Sequence, residues 1–329
     1  MRPVEPTKMV LSGPSPASTP DRGARGRASP VGARAWRAEE RPCPSCSSTS
    51  HAVLGRRGGR AHRAGLGLET TVVRCRACHL VYQRPFLLPV GNPYQDFSGE
   101  EYFHGHDVAA KVESGRALAR RATSLLGRRG RVLELGCGRG ELLRGAREEG
   151  WEVSGVDMTP RWATNEDLEV EIAPVESAES LKRKEAYDLV FLAAILEHLY
   201  APGECLRRVW TVLKPDGLVF IDVPNECGLW SRMGNLYLRL RARDWAVNLS
   251  PTFPPFHVVG FCPRSLRHLL KEAGFSVREL ELHRWQSALP SGEGFWAGLE
   301  GLGMNGVLTA GALIGMGAGI TCWAQRRGT

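Results

Sequence analysis

The sequence has little at its start from which a stable fold could be built. Residues 1–40 contain few large apolar side chains and many Pro, Arg, Ala, Ser and Gly residues, so we expect this segment to be disordered. No apolar run there resembles a secretory signal peptide. Five of the nine cysteines are scattered singly, which is typical of a reducing compartment and not of a secreted disulfide scaffold. These absences predict a cytoplasmic protein.

The sequence also lacks an even distribution of positive charge. The formal net charge is +8, but residues 41–84 alone contribute +7, residues 1–40 contribute +3, and the rest of the chain carries a net −2. The larger part of the chain therefore gives no sign of a basic nucleic-acid-binding face. The 329 residues are enough for one large domain and a small additional module.

Strand and helix patterns alternate over the larger part of the chain. Short apolar runs are separated by segments with apolar residues at helical spacing. Such alternation predicts an α/β fold, with a parallel, Rossmann-like sheet and helices on both faces. We expect a turn at 214–217 and a long irregular insert at 225–256. The predicted strands are 132–135, 151–156, 187–192, 218–223 and 275–282, and the predicted helices are 107–126, 141–148, 204–213 and 265–273.

A glycine-rich loop follows the first of these strands. Residues 132–141 read VLELGCGRGE, in which Gly136, Gly138 and Gly140 precede a helix. Glycines let a ligand lie against the main chain, and a helix N-terminus favours a carboxylate or phosphate. An ordinary tight turn is the simplest alternative. The dinucleotide fingerprint G-x-G-x-x-G does not fit, because the third glycine comes one residue early.

A carboxylate ends the second predicted strand. Asp157 lies 17 residues after Gly140, where it can accept hydrogen bonds from both ribose hydroxyls of an adenosine. As a lone residue it would instead cap a helix beginning near Thr159. Its register with the glycine loop favours the ligand-binding interpretation.

The order of these motifs resembles that of class I methyltransferases that use S-adenosylmethionine (SAM). It is most similar to the small-molecule group that includes the ubiquinone-biosynthesis O-methyltransferases. The resemblance covers residues 85–282, which is about 60% of the chain. It is carried by Glu134 with the three glycines, by Asp157, by YDLV at 187–190, LEHL at 196–199 and LKPDG at 213–217, and by a last helix–strand unit within 257–277.

The resemblance implies a SAM site of nine residues. In it, Glu134 orients the loop and the amino group of the methionine portion, Asp157 holds the ribose, and Met158 packs on the adenine. Glu176 lies near the adenine amino group, and Ala193 lines the methionine side. An aromatic pair at 102–103 covers the pocket. The implied cofactor-binding residues are Glu134, Gly136, Cys137, Gly138, Gly140, Asp157, Met158, Glu176 and Ala193.

Two histidines are candidates for the chemistry. Methyl transfer is an in-line displacement that depends on alignment, and an oxygen acceptor must also lose its proton. His198 follows the fourth predicted strand, at the edge where ligands enter such sheets. His257 ends the insert and is expected to close over the acceptor. A structural role is the alternative for both, and His104 and His106 are expected to be surface residues.

Two C-x-x-C pairs precede the methyltransferase-like region. Cys43 with Cys46 and Cys75 with Cys78 supply four thiolates, the ligand set of a closed, structural zinc site. Four unrelated thiols and a redox dithiol are the alternatives. The eight arginines of this module either bind nucleic acid or a phosphorylated acceptor, or form a solvated basic loop.

The C-terminal segment has no charged residue from 301 to 325, a length that can span a bilayer. Arginines at 326 and 327 argue against spanning, because they would lie on the outer side of the membrane if the catalytic domain is inside, contrary to the positive-inside tendency. The competing interpretations are a helix that is buried or rests on a membrane surface, followed by a last antiparallel strand at 320–325.

Taken together, the patterns predict four regions. These are a disordered segment at 1–40, a zinc-ribbon-like module at 41–84, a class I SAM-dependent methyltransferase domain at 85–300 and an apolar segment at 301–329. The predicted activity is methyl transfer to an oxygen or carbon of a small-molecule, sugar or lipid-type acceptor. The motif of DNA and RNA amino-methyltransferases is absent at 193–196, which argues against base methylation. A nucleic-acid-binding zinc ribbon on a non-catalytic SAM-like domain and an NAD-type oxidoreductase are the alternatives.

Overall fold

The computed structural model of the chain describes residues 35–94, 107–160, 168–284 and 295–328. Within the last range, residues 295–302 are described by their backbone alone. The strands are β1 (Trp36–Glu39), β2 (His51–Arg57), β3 (Thr70–Cys75), β4 (Val81–Arg84), β5 (Phe86–Pro89), β6 (Arg131–Leu135), β7 (Glu152–Asp157), β8 (Val170–Ile172), β9 (Tyr187–Ala193), β10 (Leu213–Pro224), β11 (Val259–Gly260), β12 (Phe275–His283) and β13 (Gly319–Arg326). The helices are α1 (Val108–Leu126), α2 (Glu141–Glu148), α3 (Pro202–Val212), α4 (Leu229–Leu240), α5 (Pro263–Glu272) and α6 (Phe295–Leu313).

A seven-stranded sheet forms the centre of the fold. Its order is β12-β13-β10-β9-β6-β7-β8, and neighbours are parallel from β10 to β8. Strand β9 is buried along its length except at its last residue, which explains why it is apolar apart from Asp188. Leu118 of α1 and Leu143 of α2 pack in an apolar cluster on one face, and Leu206 of α3 and Leu266 of α5 pack in a cluster on the other. The predicted α/β, Rossmann-like fold class is confirmed.

Helix α1 shows how single residues set the limits of an element. The side chain of Asp107 accepts a hydrogen bond from the Ala110 N–H at 3.0 Å, which satisfies one free donor of the first turn. Gly127 ends the helix with a φ of 71°, and its N–H donates to the Thr123 carbonyl. The predicted helix at 107–126 is confirmed with Asp107 as its cap.

Two expectations for the region after β9 need correction. The insert at 225–256 is not irregular throughout, because Leu229–Leu240 forms α4. Gly234 within α4 allows close packing, since a Cβ there would lie 2.9 Å from a methyl group of Val247. The turn at 214–217 lies inside β10, where Asp216 has a φ of 64° and the pairing with β9 shifts its register.

The N-terminal strands form two further sheets. Disorder through residue 40 is wrong for Trp36–Glu39, which pairs antiparallel with β5 as β1. A four-stranded sheet has the order β11-β4-β3-β2, so the segment that follows the insert contributes β11 to the sheet of the cysteine module. Cys43, Cys75 and Cys78 are buried in the same apolar cluster as the central sheet. The cysteine module and the central sheet are therefore packed together.

The apolar C-terminal segment completes the central sheet. Strand β13 is inserted antiparallel between β10 and β12, so the predicted last strand at 320–325 is confirmed. Helix α6 precedes it and contacts α4. Across the part of the chain that the structure describes, none of the helices combines the length and apolar character needed to cross a bilayer.

Candidate functional site

A cavity of about 510 Å³ opens at the carboxyl ends of β6, β7 and β9, the edge at which open α/β sheets bind ligands. Its volume is in the range of small-molecule sites. His198 lines this cavity, whereas Gly140 does not. The other lining residues from the implied SAM site are Glu134, Gly136, Cys137, Gly138, Asp157, Met158, Glu176 and Ala193.

The glycine loop forms the floor of the cavity. Gly136 and Gly138 have φ angles of 71° and 52°, which other residues rarely adopt. A Cβ on Gly136 would lie 2.8 Å from the end of the Ile195 side chain. Gly140 instead precedes α2 as its cap, with a φ of 72°. The loop thus presents bare main chain to the cavity, and Gly140 turns the chain into the helix.

Asp157 is buried at the end of β7 and uses both of its carboxylate oxygens. One oxygen accepts a hydrogen bond from the Gly138 N–H at 2.9 Å and the other from the Thr159 N–H at 2.8 Å. Burial raises the pKa of Asp157, while these two N–H groups oppose the rise. The carboxylate is therefore fixed against the glycine loop, and each oxygen retains capacity for a further donor.

Glu134 presents a buried carboxylate to the cavity without a complete set of partners. Its Oε2 atom has no hydrogen-bond partner, and burial raises its pKa well above the usual value, with Glu141 adding to the rise. Lys111 of α1 also lines the cavity and opposes that rise by its positive charge. The sequence reasoning missed Lys111, although it lies one helical turn after Val108 on the predicted amphipathic helix.

His198 lies at the edge of the cavity in a short 3₁₀ turn after β9. Its Nδ1 atom is 2.9 Å from the hydroxyl of Tyr94, which also lines the cavity. Its Nε2 atom is 3.9 Å from a carboxylate oxygen of buried Glu197. Burial lowers the pKa of His198 to about 4, so the imidazole is neutral at pH 7. A neutral imidazole offers a lone pair to a proton, but a pKa of about 4 makes it a weak base in this state.

His257 does not line the cavity, which corrects its expected position over the acceptor. Its ring packs 4.9 Å from that of His198, and its Nε2 atom is 3.8 Å from Glu197. The ring points toward this buried carboxylate, while the neighbouring Phe256 and Val258 line the cavity. Sequence periodicity in an insert could not show which of these three side chains faces inward.

Besides the four cysteines of the C-x-x-C pairs, the described residues contain one more group that could hold a metal ion, formed by Glu197, His198 and His257. Their donor atoms lie within 4.8 Å of one another. Both carboxylate oxygens of Glu197 and the Nε2 atom of His257 are buried without a hydrogen-bond partner. Two histidines and one carboxylate are a recognised donor set for divalent iron and related metals.

Asp222 is a cavity residue that the sequence reasoning missed. It is buried in β10, and its Oδ1 atom is 3.1 Å from Nε2 of His283 at the end of β12. Burial acts to lower the pKa of His283, but the hydrogen bond and charge of Asp222 outweigh it and leave the pKa raised. The two residues are 61 positions apart, and no sequence pattern links them.

The His283–Asp222 pair makes stability depend on pH. A histidine whose pKa is raised on folding stabilises the protein below its unfolded pKa of about 6.5, and this contribution is lost as pH rises through the folded pKa. We expect the unfolding free energy to fall over that range, and to fall less in His283→Gln. Denaturant unfolding at a series of pH values checks this, with His51→Gln as a half-exposed control. Equal pH dependence in wild type and His283→Gln would contradict the prediction.

The four cysteines of the C-x-x-C pairs meet at one point. The Sγ atoms of Cys43 and Cys78 are 3.5 Å apart, as are those of Cys46 and Cys75, and all four lie within 4.8 Å of one another. Tetrahedral zinc with Zn–S bonds of about 2.3 Å requires sulfur atoms separated by slightly less than about 4 Å. The donor set and its spacing therefore fit a structural zinc ion.

Two arginines of the cysteine module are committed to internal contacts. Arg56 forms ion pairs with Asp244 and Glu69, each at 2.7 Å. Arg57 donates to the carbonyl of Leu249 at 3.0 Å. These side chains connect the module to the insert, so they do not contribute to a free nucleic-acid-binding surface. The aromatic pair at 102–103 and the histidines at 104 and 106 lie outside the described residues.

The sheet order, the glycine loop and the two carboxylates that flank it define a class I SAM-dependent methyltransferase fold. A family model described as a methyltransferase domain matches residues 105–280, more than half of the chain. The chain belongs to this family.

Curated relatives and solved structures show the extent of the similarity. The ubiquinone biosynthesis O-methyltransferase of Aeromonas salmonicida is 26% identical over 159 residues, covering 46% of this chain and 64% of that protein. The protein of the same name from Salmonella paratyphi A is 30% identical over 119 residues, covering 34% and 48%. The matches thus span less than two thirds of either relative. A SAM-dependent methyltransferase from Archaeoglobus fulgidus superposes with a TM-score of 0.46 at 22% identity, covering 65% of this chain and 94% of that one.

Proposed function

We propose that the protein transfers a methyl group from SAM to an oxygen or carbon of a small-molecule acceptor. The observation that carries this proposal is the buried Glu134 carboxylate, whose Oε2 atom lacks a partner beside the glycine loop. A buried acceptor without a donor is costly, and the ammonium group of SAM is a donor of suitable charge. Asp157 retains acceptor capacity for ribose hydroxyls.

The remaining chemistry is assigned to residues of this chain. When bound, SAM supplies a methyl group on a positively charged sulfur. In our proposal, Nδ1 of His198 takes the acceptor proton through the hydroxyl of Tyr94, which lies 2.9 Å away at the cavity surface. The Nε2 atom of the imidazolium that results lies 3.9 Å from Glu197, a carboxyl group whose pKa burial raises well above its usual value. His257 packs against the ring of His198 and limits its movement, with the two ring centroids 4.9 Å apart.

The acceptor end of the cavity favours a molecule with an apolar body. Tyr94 and Phe256 pack together, with Trp36 against them, and all three line the cavity. Aromatic walls of this kind bind apolar or planar ligands by burial. A small-molecule or lipid-type acceptor fits such walls better than a sugar, and the O-methyltransferase relatives also support a small-molecule acceptor.

Equilibrium binding separates this proposal from its alternatives. We expect the protein to bind SAM and its product S-adenosylhomocysteine, with much weaker binding of NADH or single-stranded RNA. Transfer of a labelled methyl group to a panel of phenols, hydroxylated lipids and sugars then identifies the acceptor. Tight RNA binding without SAM binding would favour the nucleic-acid-binding alternative, and tight NADH binding would favour an oxidoreductase.

Replacing Asp157 with Ala should weaken S-adenosylhomocysteine binding by tenfold or more. A charged acceptor shared by two hydroxyls contributes roughly 1.5–3 kcal/mol, and each 1.4 kcal/mol is a factor of ten. Calorimetric titration measures the change, and Asp157→Asn tests the charge while keeping the shape. Glu169→Ala, which removes an exposed carboxylate, is the matched control. Unchanged affinity in folded Asp157→Ala would remove the ribose assignment.

A further inference from the structure

Two cysteines outside the four-cysteine cluster mark the ends of one cavity wall. Cys227 follows β10 and Cys262 precedes α5, and 34 residues lie between them. This segment contributes Pro251, Phe256 and Val258 to the lining of the cavity. Whatever joins its two ends therefore affects the wall against which the acceptor is proposed to bind.

The backbone brings these two ends together. Asn225 and Phe261 form a parallel bridge, and the N–H of Glu226 donates to the carbonyl of Phe261 at 2.8 Å. The approach is close, because a Cβ on Gly260 would lie 2.3 Å from the side chain of Glu226. Paired residues on adjacent strands lie about 5 Å apart, and Cys227 and Cys262 follow the bridged pair by two residues and by one residue, which keeps them near the Cα separation that a disulfide needs.

Cys262 lies where a thiolate is stabilised. It caps the N-terminus of α5, and its Sγ atom accepts a hydrogen bond from the Ser265 N–H at 3.5 Å. The neighbouring Cys227 thiol lowers its pKa, with the Ser265 side chain and backbone adding to the effect. The same interaction raises the pKa of Cys227. A capped thiolate beside a thiol is the layout of an attacking and a resolving cysteine.

We propose that Cys227 and Cys262 are a redox-sensitive pair, which a small peroxide converts to a disulfide that ties together the ends of this cavity wall. The Cys262 thiolate attacks one peroxide oxygen, the O–O bond breaks, and the sulfur becomes a sulfenic acid while hydroxide leaves. The Cys227 thiol then attacks that sulfur, the S–O bond breaks, and water leaves with the thiol proton. Hydrogen peroxide is small enough to reach Cys262, of which 5% is exposed.

The test uses the full-length, zinc-loaded protein treated with one equivalent of hydrogen peroxide. Peptide mapping without reductant is expected to find the Cys227–Cys262 peptide pair, and dithiothreitol is expected to reverse it. The disulfide closes a long loop of the unfolded chain, so Tm should rise by about 5 °C or more. Zinc content is followed in parallel to detect oxidation of the other cluster.

Two variants separate the steps. In Cys227→Ser, oxidation should stop at a sulfenic acid on Cys262 that dimedone traps, and Tm should not rise. In Cys262→Ser, which retains a capping side chain, Cys227 should remain reduced. Absence of the Cys227–Cys262 peptide pair in oxidised wild type would overturn the proposal, as would equal oxidation of Cys227 in Cys262→Ser. Formation of disulfides within the four-cysteine cluster alone would overturn it as well.

Discussion

Replacing His198 with Gln should lower the single-turnover rate by about 10²–10⁴-fold, the usual contribution of a positioned general base. S-adenosylhomocysteine affinity should remain near that of wild type, because the cofactor is assigned to Glu134, the glycine loop and Asp157. The loss should shrink for an acceptor whose hydroxyl ionises at lower pH. Rapid-quench measurement with labelled SAM, on the acceptor found by the panel, gives the rate and a separate titration gives the affinity.

Other variants distinguish the roles open to His198. Tyr94→Phe should also slow turnover, since it removes the hydroxyl that lies between Nδ1 and the cavity. His51→Gln, in the cysteine module, should leave the rate unchanged. If the role of His198 is only to stabilise the 3₁₀ turn in which it lies, Tm and cofactor affinity should fall together with the rate in His198→Gln. If it holds a metal with Glu197 and His257, chelation should reproduce the loss in wild type. A rate within about threefold of wild type would end the general-base proposal.

Replacing Cys75 with Ser should remove zinc and destabilise much more than the cysteine module. Purified wild type is expected to contain about one zinc per chain, as in a closed four-thiolate site. Structural zinc contributes many kcal/mol to small domains, so we expect a fall in Tm on the order of 10 °C. The effect should reach the central sheet, because Cys75 is buried in the same apolar cluster as strands β9 and β10. Elemental analysis and calorimetry measure both quantities.

A buried cysteine outside the cluster provides the matched control. Cys205→Ser in α3 replaces another buried thiol, and it should keep the full zinc content with a smaller fall in Tm. Replacing Cys43, Cys46, Cys75 and Cys78 together should abolish zinc binding. Stoichiometric zinc in that quadruple variant would refute the proposed site.

The central sheet could be predicted because each of its elements has a strong local signal. The apolar run of β9 that follows Asp188 and the cap residues of α1 are readable in isolation. Helix α4 was missed for a physical reason. Its apolar residues Met233, Leu236 and Tyr237 remain exposed, and Gly234 interrupts the helical pattern where Val247 packs against it. Tertiary packing, not local propensity, stabilises that helix.

The site was predictable where one loop carries it and not where distant segments meet. The glycine loop, Glu134 and Asp157 follow in order from two neighbouring strands, and eight of the nine implied residues line the cavity. The contacts of His198 with Tyr94 and of Asp222 with His283 join segments 104 and 61 positions apart. Such contacts depend on the complete topology, so the sequence could nominate His198 but could not name its partners.

The pairing of β11 with β4 means that the cysteine module cannot be removed as an independent unit. Without residues before 85, β11 would lose its partner and expose an unpaired edge directly beside Phe256 and Val258 of the cavity wall. Exposed edges of this kind promote aggregation. A shortened chain that retains every SAM-binding motif should therefore be poorly soluble. Protein engineering of this scaffold must treat the cysteine module as part of the cavity wall.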